Sequence, residues 1–230
     1  MMKTMKTDEF FDRLLLLPLF QGIGRNDFME IAERIRLGFQ RQRKGQVLVS
    51  QDDLCSSLLF ILDGEIRINK KSDAHNYELN EWTSQPLVLQ PESLFGLSTR
   101  YTRTFTTETA VHILKVNKDA VRDILFYYPT FRINFLNLLS MRVQLANRQL
   151  WRPAASDLPL RFVQFLSSRC LRPAGRKELR ISMQTLADEL LTTRLNVSQL
   201  LNSLAQEGLI ELKRERIFVP SMEKLLMGKV

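Results

Sequence analysis

The feature that most constrains this chain is a change of hydrophobic period near Lys118. Before it, apolar residues fall in short β-type runs: VLV (47–49), LLFIL (58–62), EIRI (65–68), YELNEW (77–82), PLVLQ (86–90), TFTTET (104–109) and HILKV (112–116). Gly45, the pair Asp63–Gly64, Pro86 and Gly96 punctuate them, and Asp-Gly between two strand-like runs predicts a hairpin, because that turn needs positive φ. Many short strands with regular turns mean a sandwich or barrel. A short helix precedes them, with Asn26 as its expected cap and Phe28, Ile31, Ala32 and Ile35 at helical spacing.

Beyond Lys118 the apolar spacing is helical. Residues 130–152, TFRINFLNLLSMRVQLANRQLWR, contain no Gly or Pro and are bounded by Pro153. At 1.5 Å per residue they make roughly 35 Å of helix, longer than a small domain needs. Phe131, Phe135, Leu138, Arg142 and Leu145 form one stripe, with Ile133, Leu136, Val143 and Leu150 beside it. A helix apolar over so wide an arc needs covering on two sides, and a second copy of the chain is the economical cover. The alternative is a helix packed wholly within one chain. The expected domains are therefore 1–129, a dimerisation helix over 130–152, and 153–230.

The last part is where charge concentrates. From residue 151 on there are 13 Lys and Arg against 8 Asp and Glu, +5 of the chain's net +8. A basic field suits a polyanion such as DNA, or is simply a solvated surface. Here Asp157 is the expected cap of a helix whose core face is Leu158, Phe162, Phe165 and Leu166. The stretch LADELLTTRLNVSQLLNSLAQEGLIEL follows at 186–212. Read as two helices around a turn, it points Leu186, Ala187 and Leu190 inward on the first, and Val197, Leu200, Leu201 and Leu204 inward on the second. The outward row is then Thr192, Thr193, Arg194, Asn196, Ser198 and Gln199. Arginine pairs with guanine, Asn or Gln with adenine, and Thr with a phosphate or a thymine methyl, so a second helix carrying them at its N-terminal end suits a major groove. The hairpin LIELK–RIFVP, with Lys213, Arg214 and Arg216, is a wing able to touch the backbone. The plainer alternative is an ordinary solvated helix face.

Several function classes are set aside. No apolar run approaches 20 residues, so no membrane helix is expected. MMKTMKTDEFFDR lacks the apolar stretch and cleavage site of a signal peptide, and Cys55 and Cys170 stand far apart, so a reduced cytoplasmic setting is expected. His75 and His112 are isolated, which gives no ligand triad for a cupin-like metalloenzyme. No Ser–His–Asp, Cys–His or P-loop arrangement is visible, and an enzyme is not expected.

In PLFQGIGRNDFMEIAERI, RKGQVLVSQDD, LLFILDGEIRI, FGLS, the long helix and LADELLTTRLNVSQLLNSLAQEGLI, taken in that order, the chain resembles the Crp–Fnr family of bacterial transcription regulators. The resemblance implies an α+β protein: an N-terminal double-stranded β-helix or jelly roll of the cyclic-nucleotide-binding type, a long dimerisation helix and a C-terminal winged helix-turn-helix. It implies double-stranded DNA, a second copy of the chain and RNA polymerase as partners, with an effector it does not identify. Gly45, Gly64 and Gly96 match the family's turn glycines, and Arg194 its DNA-contacting arginine.

The departures lie in the ligand cassette. Members that bind cyclic AMP carry a Gly–Glu pair for the ribose and an Arg–Ser/Thr pair for the phosphate. Here Gly96 is followed by Leu97, and the arginine position falls at Tyr101, with Thr102 next to it. Arg100 and Arg103 flank that place, and a one-residue slip would deliver either. On the long helix Ala146 and Asn147 replace the family's hydroxyls. Losing the charge-assisted contacts costs on the order of a hundredfold in affinity, so no cofactor and no tight cyclic AMP binding are expected. Two cysteines also exclude the family's cysteine-ligated iron–sulfur sensor. On the recognition helix Leu195 stands among the base-reading positions, and Leu191 occupies a turn position where glycine is usual and positive φ is strained.

Overall fold

In the computed structural model, residues 12–35, 38–74, 76–151, 155 and 157–228 are described. His75, Pro153 and the first eleven residues, on which parts of the sequence reading rest, lie outside them. The described chain forms two compact units whose boundaries cross the order of the sequence. Unit 1 is 1–66, 84–102 and 106–150; unit 2 is 67–83, 103–105 and 151–230.

Unit 1 contains α1 (Arg25–Ile35), β1 (Gly38–Gln42), β2 (Val47–Val49), β3 (Ser57–Asp63), β6 (Leu87–Val88), β8 (Val111–Asn117), α2 (Lys118–Asp123) and α3 (Pro129–Leu150). Its antiparallel sheet runs β1-β8-β3-β6, with Phe60 opposite Leu114 and Val88. Strand β3 is buried along nearly its whole length because both its faces are covered. Beside it the rings of Phe20, Phe28, Phe60 and Phe131 pack within 6.5 Å of one another through Phe20. Phe95, Phe126 and Phe135 extend that cluster.

Two local expectations are corrected here. Asn26 lies inside α1, and it is the Gly24 carbonyl that accepts the Phe28 N–H. The Asp63–Gly64 turn does not close a hairpin, because β3 bonds β8 and β6 whereas β4 (Ile66–Lys71) bonds β5 (Tyr77–Thr83). The glycine is still required there: φ is +82°, and a Cβ would meet the Ala110 carbonyl at 2.5 Å. Asp63 meanwhile accepts the His112 N–H at 2.9 Å and faces the His112 ring, so this histidine is spent within the fold.

Helix α3 shows a larger difference. Phe131, Phe135 and Leu138 are buried within unit 1, and Arg142 pairs with Glu92. Three of the five residues assigned to a dimer stripe are therefore core residues of a single chain. Of that stripe Leu145 is half exposed, and the neighbouring residues Ile133, Leu136, Val143 and Leu150, with Met141, are each at least half exposed as well.

Unit 2 contains β4 from Arg67 on, β5, α4 (Leu158–Arg169), β9 (Lys177–Ile181), α5 (Met183–Glu189), α6 (Arg194–Gln206), β10 (Glu211–Lys213), β11 (Arg216–Val219) and α7 (Met222–Met227). Asp157 is the N-cap residue of α4 by backbone, though its side chain makes no capping bond. The sheet runs β10-β11-β9-β5-β4, with β7 (Thr104–Thr107) beyond β4. The wing thus continues into a hairpin drawn from the first half of the sequence. Strand β9 pairs with β5 from Tyr77↔Ile181 to Glu81↔Lys177.

That pairing is sealed from both sides. Leu79 enters the same core as Phe162, Leu166, Leu186, Val197 and Leu204. Glu81 is 1% exposed and fully engaged. It accepts Arg103 Nη1 at 3.0 Å and the Leu171 N–H at 2.7 Å, and pairs with Lys177 Nζ at 3.2 Å. Lys177 also donates to the Ala174 carbonyl at 2.6 Å. Burying these charges is tolerable only because each finds partners.

Candidate nucleic-acid interface

Helices α5 and α6 form the predicted helix-turn-helix. Ser182 caps α5 by accepting the Thr185 N–H at 3.0 Å, and Thr193 caps α6 by accepting the Asn196 N–H at 3.2 Å. Leu186, Ala187 and Leu190 face Val197, Leu200, Leu201 and Leu204 in one buried core, as the spacing requires. The strain at Leu191 points to a reshaped turn, but the residue holds the left-handed conformation of the glycine it replaces, at φ +50°. The Leu191 and Thr192 N–H groups bond the Asp188 and Ala187 carbonyls, and Arg161 Nη1 donates to the Leu190 carbonyl at 2.8 Å.

The outward row is present. Thr193, Arg194, Asn196 and Gln199 are exposed, with Thr192 and Ser198 half-buried. Arg194 makes no ion pair among the described residues. Asn196 is less available than its sequence position suggested, since its side-chain amide donates to Thr192 Oγ1 at 3.1 Å. In the wing, Lys213, Arg214 and Arg216 are exposed around a tip turned by Glu215 at φ +57°. Arg216 lies 3.7 Å from Glu178, so part of its charge is compensated within the sheet.

Of the six residues considered for a ligand, Gly96, Leu97 and Asn147 are exposed, and Arg100, Thr102 and Arg103 are hydrogen-bonded within their own unit. Gly96 is a turn at φ +100° and Leu97 is fully exposed. Asn147 is exposed on α3. Arg100 Nη1 donates to the Asp52 carbonyl at 2.6 Å. Arg103 is held by Glu81 and by the Arg169 carbonyl, the latter at 2.9 Å. Thr102 is bonded twice by Gln90, through its own N–H at 3.0 Å and from Gln90 Nε2 at 2.6 Å. Tyr101, at the arginine position, is buried and donates its hydroxyl to the Ser57 carbonyl at 3.2 Å. Burial pushes that phenol far above its usual range.

A cavity of about 430 Å³ does open in unit 1, lined by Gln40, Gln42, Gln46, Leu59, Tyr101 and Lys115 among others. The two β1 glutamines in it went unread because GFQRQ alternates without apolar residues on one face. Burial pushes both thiols up, Cys170 to about 12, so neither ionises near neutrality. No group of three potential metal ligands, and no helix long and apolar enough to cross a membrane, occurs among the described residues.

Comparison with known proteins agrees with this geometry. Residues 39–128 match the cyclic nucleotide-binding domain family, and residues 160–227 the Crp-like helix-turn-helix domain family. A global nitrogen regulator of Synechocystis sp. is 26% identical over 180 residues, 73% of this chain and 77% of that protein. The catabolite activator protein of Thermus thermophilus superposes with a TM-score of 0.52 at 19% identity, over 93% of this chain and 100% of its own. The c-di-GMP responsive global regulator CLP of Xanthomonas campestris does so with a TM-score of 0.50 at 18% identity, over 84% and 97%. A roll of short strands, a long helix and a capped helix-turn-helix with its wing stand here in the order that those two domain families have, and this chain belongs to the Crp–Fnr family of DNA-binding transcription regulators.

Proposed function

We propose that this chain is a homodimeric, sequence-specific regulator that binds duplex DNA through α6 and the wing, and that cyclic AMP does not gate it. The observation that carries the reading is Arg194: exposed at the first turn of a capped recognition helix, with Ser198 one turn on and Gln199 beside it, and no ion pair of its own among the described residues. Arg194, Ser198 and Gln199 read base edges, while Thr192, Thr193, Lys213, Arg214 and Arg216 meet phosphates. Asn196 reaches a base only if it gives up its bond to Thr192.

The exposed arc of α3 supports pairing with a second copy, whose α6 would then meet a half-site about 34 Å along the duplex. Against cyclic AMP stand the ion pair that holds Arg103 to Glu81, the two bonds between Thr102 and Gln90, and the bond that turns one Arg100 donor to the Asp52 carbonyl. This reading assigns an effector of other chemistry to the cavity beside Tyr101 and Lys115. RNA polymerase is the further partner this reading implies, in the cytoplasm.

Fluorescence anisotropy on the duplex upstream of the chain's own gene tests it, with cyclic AMP and cyclic di-GMP as probes. Binding unaffected by cyclic AMP is the expected result. Binding that appears only with cyclic AMP would overturn the ungated reading and return Arg100 or Arg103 to the phosphate. Light scattering of Val143→Asp should show a monomer where the wild type is a dimer; a dimeric variant removes α3 from the interface.

A further inference from the structure

The surface that the proposed function gives to DNA is not wholly polar. Leu195, the second residue of α6, is 66% exposed, and Leu191, in the turn ahead of it, is 84% exposed. A single exposed leucine needs no explanation. These two differ in their setting. Leu191 holds a left-handed backbone at φ +50°, whereas the turns at Gly175 and Gly208 meet the same demand with glycine. The Leu190, Leu191 and Thr192 N–H groups donate to carbonyls of α5, and Arg161 donates to the Leu190 and Leu191 carbonyls, which fixes the turn in that conformation. A strained residue that presents an apolar side chain to water is the kind of outlier from which function is inferred.

Leu195 is better placed still. At helical spacing it shares a face with Ser198 and Gln199, three and four positions on, and it adjoins Arg194. The first turn of a recognition helix is the part that meets base edges. Its polar neighbour Asn196 is occupied with the turn, through Thr192 and Thr193. An isobutyl group can neither donate nor accept a hydrogen bond, so it gains nothing from guanine, adenine or cytosine edges. The one apolar group in the major groove is the thymine C5-methyl.

We propose that Leu195 is a specificity-determining residue that reads a thymine methyl in each half-site. The assignment rests on α6 entering the major groove, as the proposed function holds. It turns that reading into a base preference: thymine where Leu195 lands, guanine where Arg194 does.

The test uses the full chain and a random duplex library. Selection should return sites with a fixed thymine in each half. Replacing that thymine by deoxyuridine keeps the pairing and removes only the methyl, and should weaken binding roughly fourfold, the worth of one buried methyl-sized group. Replacing it by 5-methylcytosine should cost less than replacing it by cytosine. Leu195→Ala should bind the thymine and deoxyuridine duplexes equally, while Arg194→Ala weakens both alike. Equal binding of the two duplexes by the wild type, or a methyl preference that survives Leu195→Ala, would overturn the proposal while leaving DNA binding intact. A library that yields no enriched sequence would overturn the DNA-binding reading, and this proposal with it.

Discussion

Two arginines, Arg103 and Arg194, stood in the sequence as candidates for an anion, and their surroundings assign them opposite work. Arg103 is nearly buried and its guanidinium is divided between the Glu81 carboxylate and the Arg169 carbonyl. Arg194 is exposed, at the start of a helix whose cap is already provided by Thr193. A guanidinium brings five donors wherever it lies, so what decides its role is whether the fold has used them. Burial with a partner makes it part of the scaffold. Exposure without one leaves it for a ligand.

The strongest way to break this contrast is to remove the group that holds Arg103. Glu81→Ala leaves Lys177 and Arg103 without their carboxylate in the interior, and should cost roughly 3–5 kcal/mol of stability by urea unfolding of the full chain. A loss under about 1 kcal/mol would mean that water already reaches the site.

The two arginines should then separate cleanly. Arg194→Ala should cost roughly 1–3 kcal/mol of DNA affinity and relax specificity at one base pair, with the unfolding midpoint unchanged. Arg103→Ala should do the reverse, losing about 1–3 kcal/mol of stability as Glu81 and the Arg169 carbonyl lose a donor. An Arg103→Ala protein of full stability that no longer responds to an added nucleotide would put Arg103 back among the ligand residues. A smaller sharpening comes from thermal unfolding with cyclic AMP. A ligand at a hundred times its Kd would add about 2.7 kcal/mol, and no shift is expected here.

The smallest effect concerns an exposed carboxylate that is structural despite its exposure. The Glu223 carboxyl is held below its usual range by backbone N–H groups, its own and that of Gly175 at 2.8 Å, with the Ser221 hydroxyl adding a third bond. Its folded pKa is depressed, so its contribution is present above the unfolded value and lost as pH falls through the folded one. Glu223→Gln should flatten the acid limb of the stability profile by a fraction of a kcal/mol, because solvent screens the site.

What could be read from the sequence followed how local each signal was. The helix-turn-helix and the wing were legible because Leu186, Val197, Leu200 and Leu204 keep one period over a short span, and the polar row sits in its gap. The short strands of unit 1 were legible for the same reason, through their runs of β-branched and aromatic residues. Strand β9 was not. KELRI alternates charge with apolar residues, and the partner that makes it a sheet interior, β5, lies about a hundred residues earlier. Nothing in the local sequence marks Lys177 and Glu81 as a buried pair, because their contact depends on that distant pairing. The stripe of α3 failed differently. Its period was right, but periodicity does not say which of two apolar arcs the chain covers with its own core, and the phenylalanines of unit 1 took Phe131 and Phe135. The ligand cassette was legible in residue types only: that Arg100 and Arg103 flank the expected position is in the sequence, that each is already hydrogen-bonded is not.

The pairing of β5 with β9 bears on how such a protein can be taken apart and recombined. A winged helix cut out at residue 151 would carry β9 as an open edge, ready to pair with another chain, and Lys177 with no countercharge. The portable module is therefore discontinuous: residues 67–83 and 103–105 must travel with 151–230. A chimaera joined at the end of the long helix, where the sequence invites the cut, would need a host roll whose own hairpin offers a leucine and a buried carboxylate in the register of Leu79 and Glu81.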